Sequence, residues 1–145
     1  MLSILVVEKD NESAELIYEI LINEINDLFF VSDGAQALIA FRKYKISLVI
    51  VDLEISFVNA LDLIHIIKNE KPNTKIIALN SNKDIDTKNS YYIDILIPKD
   101  QIDVYLYDSY LKLLNDEKTL KLENIDFNES LGNLEIFQKA FEEIN

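Results

Sequence analysis

The sequence predicts an α/β protein with a five-stranded, parallel, doubly wound sheet, and three observations support this. Short apolar runs rich in Val and Ile, typical of strands buried on both faces, alternate with segments whose apolar residues recur at helical spacing. The connections are short, which favours parallel strands joined by right-handed crossovers. Polar residues follow four of the five runs, so that the carboxyl edge of the predicted sheet is polar.

The elements follow one another in a regular strand–helix alternation. The predicted strands are Ser3–Val7, Leu28–Val31, Ser47–Asp52, Lys75–Leu79 and Asp94–Ile97. Apolar spacing and capping residues predict helices over Glu12–Asn23, Ala35–Tyr44, Val58–Glu70 and Gln101–Leu114. The polar stretch 82–90 is weakly periodic and predicts a short or irregular helix. The strand ending in Asp52 is apolar up to its last residue, so it is predicted to lie in the middle of the sheet.

The pattern changes after Asn115, which divides the chain into a predicted domain over residues 1–115 and a remainder over 116–145. Asp116–Asn128 is charged and mixed, and predicts a linker or a loosely packed segment. Apolar residues then recur at helical spacing over Ser130–Ile144, which predicts one amphipathic helix. An isolated helix of that length is marginal in water. We therefore expect it to dock on the domain, on a second copy, or on a further region of a longer protein.

Composition narrows the classes of partner. The chain has 145 residues and a net charge of −12, from 26 acidic residues against 14 Lys and Arg. Phosphate neutralisation needs a basic surface, so we expect no nucleic-acid binding by this segment and no adsorption to anionic membrane. No apolar run is long enough to span a bilayer, and cysteine is absent. A cytoplasmic location is expected.

The candidate site lies where the predicted strands end. Glu8, Lys9 and Asp10 follow the first strand, Asp52 ends the third, and the fourth and fifth are followed by Asn80 and Lys99. Carboxyl ends of parallel strands meet at one edge, where open α/β sheets place their ligands. The sequence therefore predicts that these side chains converge on one crevice, with Asp52 at its centre.

In order and spacing, these residues resemble the receiver domain of two-component response regulators over about Leu2–Leu114. The matching stretches are Ile-Leu-Val-Val-Glu8-Lys9-Asp10, Ser-Asp-Gly34-Ala-Gln-Ala-Leu38, Leu-Val-Ile-Val-Asp52-Leu-Glu54, Ile-Ile-Ala-Leu-Asn80-Ser81 and Pro98-Lys99. No single stretch is specific, but their combination is. The resemblance implies a flavodoxin-like fold of the receiver type, and phosphorelay signal transduction as the function.

The resemblance also implies a role for each site residue. Asp52 would accept a phosphoryl group from a sensor histidine kinase. Glu8 and Asp52, with the main-chain carbonyl of Glu54, would bind Mg²⁺, an ion that prefers oxygen ligands and keeps several waters. Lys99 would pair with Asp52 and then with the phosphoryl oxygens, and Asn80 would contact the phosphoryl group. Such a protein is a phosphorylated signalling partner and not an enzyme.

Several positions depart from the family pattern and predict an atypical receiver. Lys9 stands where the family has a second, metal-binding acid, and its ammonium group would be able to replace the ion beside Asp52. Asn80 replaces a Thr or Ser, Leu96 replaces the switch aromatic, and Asp100 follows Lys99 where a proline is usual. These departures predict weakened magnesium-dependent phosphorylation.

Two other functions remain open from the sequence. The first is a pseudo-receiver, in which the fold serves as a constitutive protein-interaction or dimerisation module, with the helix over Ser130–Ile144 as the interface. The second is a metal-dependent phosphatase-type hydrolase, which is weaker because such enzymes carry Asp-x-Asp where Glu54 follows Asp52. The single histidine, His65, lies on an apolar helix and is interpreted as structural.

Overall fold

The strands form one parallel sheet, as the sequence predicts. The computed structural model describes residues 2–24, 26–81 and 92–123, with side chains described as far as residue 116. Within these ranges the strands are β1 (Ser3–Val7), β2 (Asp27–Val31), β3 (Leu48–Asp52), β4 (Lys75–Asn80) and β5 (Ile95–Pro98). Their order in the sheet is β2-β1-β3-β4-β5, and every neighbouring pair is parallel.

The helices begin near the carboxyl edge of the sheet, where side chains cap them. They are α1 (Asn11–Leu21), α2 (Gly34–Lys43), α3 (Ala60–Glu70) and α4 (Ile102–Glu123), the last preceded by a 3₁₀ turn over Lys99–Gln101. Asp10, Asp33 and Asn59 each accept a hydrogen bond from a main-chain N–H in the first turn of the helix that follows. Such caps satisfy donors that have no partner within the helix.

The position of β3 explains why the site lies at its end. The chain places β2 on one side of β1 and β3 on the other, so that the direction of winding reverses between β1 and β3. In open α/β sheets the loops at such a reversal separate and leave a crevice at the carboxyl edge. All five residues of β3, including Asp52, are buried. The last residue of this central strand therefore lies at the bottom of the crevice.

The core fills both faces of the sheet. One face packs against α2 and α3 through a cluster that includes Val7, Val51, Phe41 and Ile64. Alternate strand residues point to the opposite face, and these, such as Val6 and Ile50, are fully buried as well. Burial on both faces explains why the strands are continuous apolar runs.

The last described helix is longer than the sequence indicates. Helix α4 continues past Asn115, where a boundary is predicted, and ends at Glu123. Residues 116–123, predicted as part of a linker or a loosely packed segment, are therefore helical, which agrees with a stretch of good helix formers without Gly or Pro. The chain divides into two compact units, Met1–Ser109 and Tyr110–Asn145, and the sheet belongs to the first.

Two predicted helices, over 82–90 and Ser130–Ile144, lie outside the described residues. In the part of the chain that is described, none of the helices has the length and apolar character needed to cross a membrane.

Candidate functional site

The predicted site residues end four adjacent strands. Glu8 follows β1, Asp52 is the last residue of β3, Asn80 is the last residue of β4, and Lys99 follows β5. Because β1, β3, β4 and β5 are neighbours in that order, their carboxyl ends lie side by side. The structure thus brings together three charged residues that are separated by up to 91 positions in the sequence.

Both oxygens of the Asp52 carboxylate have hydrogen-bond partners. Lys99 Nζ lies 2.7 Å from Asp52 Oδ2 and donates to it. The main-chain N–H of Glu54 donates to Asp52 Oδ1 at 2.9 Å. The Asp52 side chain is fully buried, so these two donors replace the hydration that the charge loses. They also hold the carboxylate in one orientation.

Lys99 joins the two buried acids. Its Nζ lies 3.3 Å from Glu8 Oε1 as well as 2.7 Å from Asp52 Oδ2. Burial disfavours the charged amine, but the hydrogen bond to Asp52 and the charges of Glu8 and Asp52 outweigh it, so that the pKa of the Lys99 amine is raised. The lysine is therefore a cation at physiological pH, and it partly neutralises the pair of carboxylates.

Glu8 is the most perturbed group of the site. Burial raises the pKa of its carboxyl to about 7, and the Asp52 charge adds to this, whereas the Asp10 main-chain N–H and Lys99 oppose it. Glu8 Oε1 accepts the Asp10 N–H at 3.0 Å. Its other oxygen, Oε2, is buried and has no hydrogen-bond partner in the described part of the protein. One face of this carboxyl is thus left for a proton or a ligand.

The remaining predicted residues take less central places. Asn80 is half-buried at the end of β4, with Pro98 as its neighbour in the strand register. Lys9 is exposed, and in the described residues the ammonium group that pairs with Asp52 belongs to Lys99. The structure therefore does not support the alternative in which Lys9 takes the place of an ion beside Asp52. Its position after the end of β1 leaves its long side chain in water.

The chemistry of the site fits a divalent cation only in part. No group of three acids, histidines or cysteines with metal-binding geometry occurs within the described ranges. Glu8 and Asp52 nevertheless lie against the same lysine, and Glu8 Oε2 is buried without a partner. Mg²⁺ is commonly held by one or two carboxylates together with waters and phosphate oxygens. Two carboxylates, with the adjacent Glu54 main chain, match this smaller set.

Sequence reasoning missed the second partner of Asp52, the main-chain N–H of Glu54. The sequence feature that indicates it is an aspartate directly before a turn, because Asp side chains commonly accept the main-chain N–H two positions on. The loop after β3 is also tied to α2, since Gly34 N donates to Ser56 O at 3.1 Å. No residue pattern in the sequence indicates that bond.

The family follows from comparison with known proteins. Residues 4–95 match the model of the response regulator receiver domain, which is more than half of the chain. The chain belongs to the response regulator receiver family. The resemblance inferred from the motifs is confirmed, and so is the fold. Receiver domains act in two-component signalling, and this is the class of function to which the chain belongs.

Solved structures agree with this membership. The chain is similar to the response regulator TrrA of Thermotoga maritima in complex with Mg²⁺ and BeF, with 28% identity, a TM-score of 0.71, and coverage of 78% of this chain and 99% of that chain. A structure of TrrA with the histidine kinase ThkA matches at 29% identity, with a TM-score of 0.70 and coverage of 79% and 99%.

The fold extends to more distant receivers. The signal receiver domain of an HD domain-containing protein from Pseudomonas fluorescens Pf-5 is 21% identical, with a TM-score of 0.74 and coverage of 85% of this chain and 93% of that chain. This likeness concerns the fold alone. Comparison with curated proteins gives no match.

Proposed function

We propose that this receiver domain accepts a phosphoryl group on Asp52 from a sensor histidine kinase. The observation that supports this most directly is the buried Asp52 carboxylate at the carboxyl edge of the sheet, 2.7 Å from Lys99 and beside Glu8. The domain is a phosphorylated carrier and not an enzyme with a substrate of its own. TrrA, with 29% identity, forms a complex with the histidine kinase ThkA, which supports a kinase as partner.

The transfer follows from the charges of the site. A carboxylate oxygen of Asp52 attacks the phosphorus of a phosphorylated imidazole, and the P–N bond breaks as the P–O bond forms. The leaving nitrogen keeps the electron pair, and a proton on the other ring nitrogen makes the product a neutral imidazole. Lys99 is placed to stay beside the acceptor and to pair with phosphoryl oxygens, which electrostatic stabilisation of phosphoryl transfer requires.

Glu8 and Asp52, with the Glu54 main-chain carbonyl, would hold Mg²⁺. The bound ion would supply positive charge at the phosphoryl oxygens. In support, TrrA was solved with Mg²⁺ and BeF. The departures at Lys9, Asn80 and Leu96 remove an acid, a hydroxyl and an aromatic ring from the family pattern. They support an atypical receiver with weaker magnesium dependence. The net charge of −12 supports a domain that makes no direct contact with nucleic acid or anionic membrane, and the proposed location is the cytoplasm.

The test is the reaction with beryllofluoride and acetyl phosphate in the presence of Mg²⁺. We expect amide NMR signals near Asp52 to shift with beryllofluoride, and acetyl phosphate to add one phosphoryl group by mass spectrometry. Both effects should vanish in Asp52→Asn and persist in the matched variant Asp108→Asn, which changes an exposed acid in α4. Absence of both effects in the wild type at millimolar reagent would refute phosphoryl acceptance.

A second candidate is a pseudo-receiver that acts as a constitutive interaction or dimerisation module. Lys99 already bridges both buried carboxylates, so the resting site is partly neutralised without an ion, and this favours the candidate. Light scattering on the full chain, with Phe137→Asp and Phe141→Asp in the apolar stripe of the predicted last helix, tests it. A dimer that dissociates in this double variant, in a protein inert to both reagents, would establish the second candidate.

A further inference from the structure

The apolar residues of β5, the strand that precedes Lys99, specify the register of that strand only weakly. Three consecutive aliphatic side chains make up most of β5, which pairs with β4 over only four residues, Ile95 to Pro98. Ile97 is 1% exposed, whereas its neighbour Leu96 is 40% exposed. A slip by one residue would bring Leu96 or Pro98, which are also apolar, to the buried position of Ile97. Hydrophobic patterning therefore discriminates weakly between registers of this strand.

A polar contact just before β5 does distinguish them. Asp94 N donates to Ile76 O at 3.0 Å, and Asp94 Oδ2 accepts the Ile76 N–H at 2.8 Å. The main-chain N–H and C=O of Ile76 are thus both hydrogen-bonded to Asp94. Ile76 is fully buried, so its N–H has no access to water in place of this carboxylate. In the observed register, Asp94 satisfies both groups at once.

The carboxylate is itself held from α3. Lys68 Nζ lies 3.0 Å from Asp94 Oδ2, and the Lys68 side chain is mostly buried, with 12% exposed. His65, one turn earlier on the same helix, packs edge-on against Tyr92, with the ring centroids 5.1 Å apart. The segment that leads into β5 is therefore held to β4 by hydrogen bonds, and to α3 by an ion pair and a ring contact.

We infer that Asp94 is a positioning residue for the acceptor site. By fixing the register of β5 on Ile76, it sets how far along the sheet edge Lys99 emerges, and thus whether Lys99 Nζ meets Asp52. A shift of one residue moves a strand by about 3.3 Å, which exceeds the length of the ion pair itself. The importance of this contact for phosphoryl transfer rests on the proposed function, whereas the control of register does not.

The test uses the full chain and two readouts. The first, independent of phosphorylation, is the NMR signal of the Lys99 side-chain ammonium, whose slow exchange and distinct shift report the ion pair with Asp52. The second is the first-order rate constant of phosphorylation by acetyl phosphate with Mg²⁺, measured over a range of acetyl phosphate concentrations and separated into its maximal value and the concentration that gives half of it. We expect Asp94→Ala to abolish the distinct Lys99 signal and to lower the maximal rate constant of phosphorylation by about tenfold or more, the effect of about 1.4 kcal/mol at the transition state.

Conservative variants separate positioning from general stability. Asp94→Asn keeps an oxygen that accepts the Ile76 N–H, so it should retain the Lys99 signal and most of the maximal rate constant of phosphorylation. Lys68→Met removes only the outer ion pair and should behave likewise, as should Asp108→Ala, which removes an exposed acid from α4. Circular dichroism at the assay temperature verifies that each variant is folded.

The outcomes distinguish the two proposals. An unchanged Lys99 signal in folded Asp94→Ala would overturn the positioning role, as would an Asp94→Asn variant as defective as Asp94→Ala. If Asp94→Ala and wild type are equally inert to acetyl phosphate but the Lys99 signal is lost in Asp94→Ala, the positioning of Lys99 stands and phosphoryl acceptance fails.

Discussion

Lys99 and Asp52 meet across an intervening strand, with Nζ 2.7 Å from Oδ2. Lys99 follows β5 and Asp52 ends β3, and β4 lies between them. Neighbouring strands are about 4.8 Å apart, so the Lys99 and Asp52 side chains together bridge roughly 10 Å of sheet edge. A long, flexible stem with a compact charge suits this distance. The same ammonium group also reaches Glu8, so one cation serves two buried carboxylates.

Removal of this cation should destabilise the protein. In Lys99→Met, Asp52 and Glu8 remain buried without their shared partner, and the free energy of unfolding should fall by about 3–5 kcal/mol, as for other broken buried ion pairs. Urea denaturation at pH 7.5 measures it. The control Lys9→Met removes an exposed lysine and should change stability by less than about 0.5 kcal/mol. Equal effects of the two variants would contradict the ion-pair geometry.

Stability should depend on pH through Glu8. Burial raises the pKa of Glu8 to about 7 from its ordinary value of 4.5, so the folded state holds a proton that the unfolded chain releases. This contribution to stability is fully present below pH 4.5 and is lost as pH rises through about 7. Its upper limit is roughly 3 kcal/mol, because one pKa unit corresponds to about 1.4 kcal/mol.

Glu8→Gln is the matched control for this dependence, since an amide does not titrate. Melting temperatures between pH 5 and pH 8 should decline in the wild type more steeply than in the variant. Parallel pH profiles would show that Glu8 is ionised in the folded protein throughout this range.

Magnesium binding should be coupled to the same proton. Because a carboxylate must be ionised to bind a metal, Mg²⁺ affinity should increase between pH 6 and pH 8 and binding should release a proton. Titration calorimetry in buffers of different ionisation enthalpy measures both quantities. Glu8→Gln should bind more weakly and without proton release. An affinity independent of pH would indicate that Glu8 takes no part in binding.

Gly34 should not tolerate a larger residue. A Cβ at this position would lie 2.6 Å from the Cβ of Val58, in the loop whose Ser56 O accepts the Gly34 N–H. Gly34→Ala should therefore cost about 1–3 kcal/mol of unfolding free energy, as overpacked sites do. Val58→Ala retains the clashing Cβ, so the double variant should not recover this loss. Recovery would show that the loop moves freely away from α2.

Substitution of Phe57 should stabilise the protein. It has φ 71°, the left-handed region, and its side chain is 87% exposed. This conformation costs a non-glycine residue roughly 1–2 kcal/mol, and Asn tolerates it better. Phe57→Asn should raise unfolding free energy by about 1 kcal/mol in denaturant titration. Phe30→Asn, at an exposed strand residue with ordinary φ, should not stabilise, and a gain of equal size there would argue against backbone strain as the cause.

Local patterns in the sequence predict the strands of the sheet and the residues that lie at its carboxyl edge. Strands such as β3 are predictable because burial on both faces requires a continuous run of apolar residues. The starts of helices are predictable because caps such as Asp10 and Asn59 bond only to main-chain groups in the next few residues. The end of α4 was misplaced because residues 116–123 combine helix-forming composition with weak apolar periodicity.

The sequence alone determined that Glu8, Asp52, Asn80 and Lys99 share one edge, since parallel strands end together. Only the tertiary structure decided which cation meets Asp52. Lys9 and Lys99 carry the same charge. Which of them contacts Asp52 depends on where the preceding strand ends and on the direction of the side chain. That choice is made by strand register and by contacts such as Asp94 to Ile76, which join residues 18 positions apart. A local pattern does not encode such contacts, because their free energy exists only when the sheet is assembled.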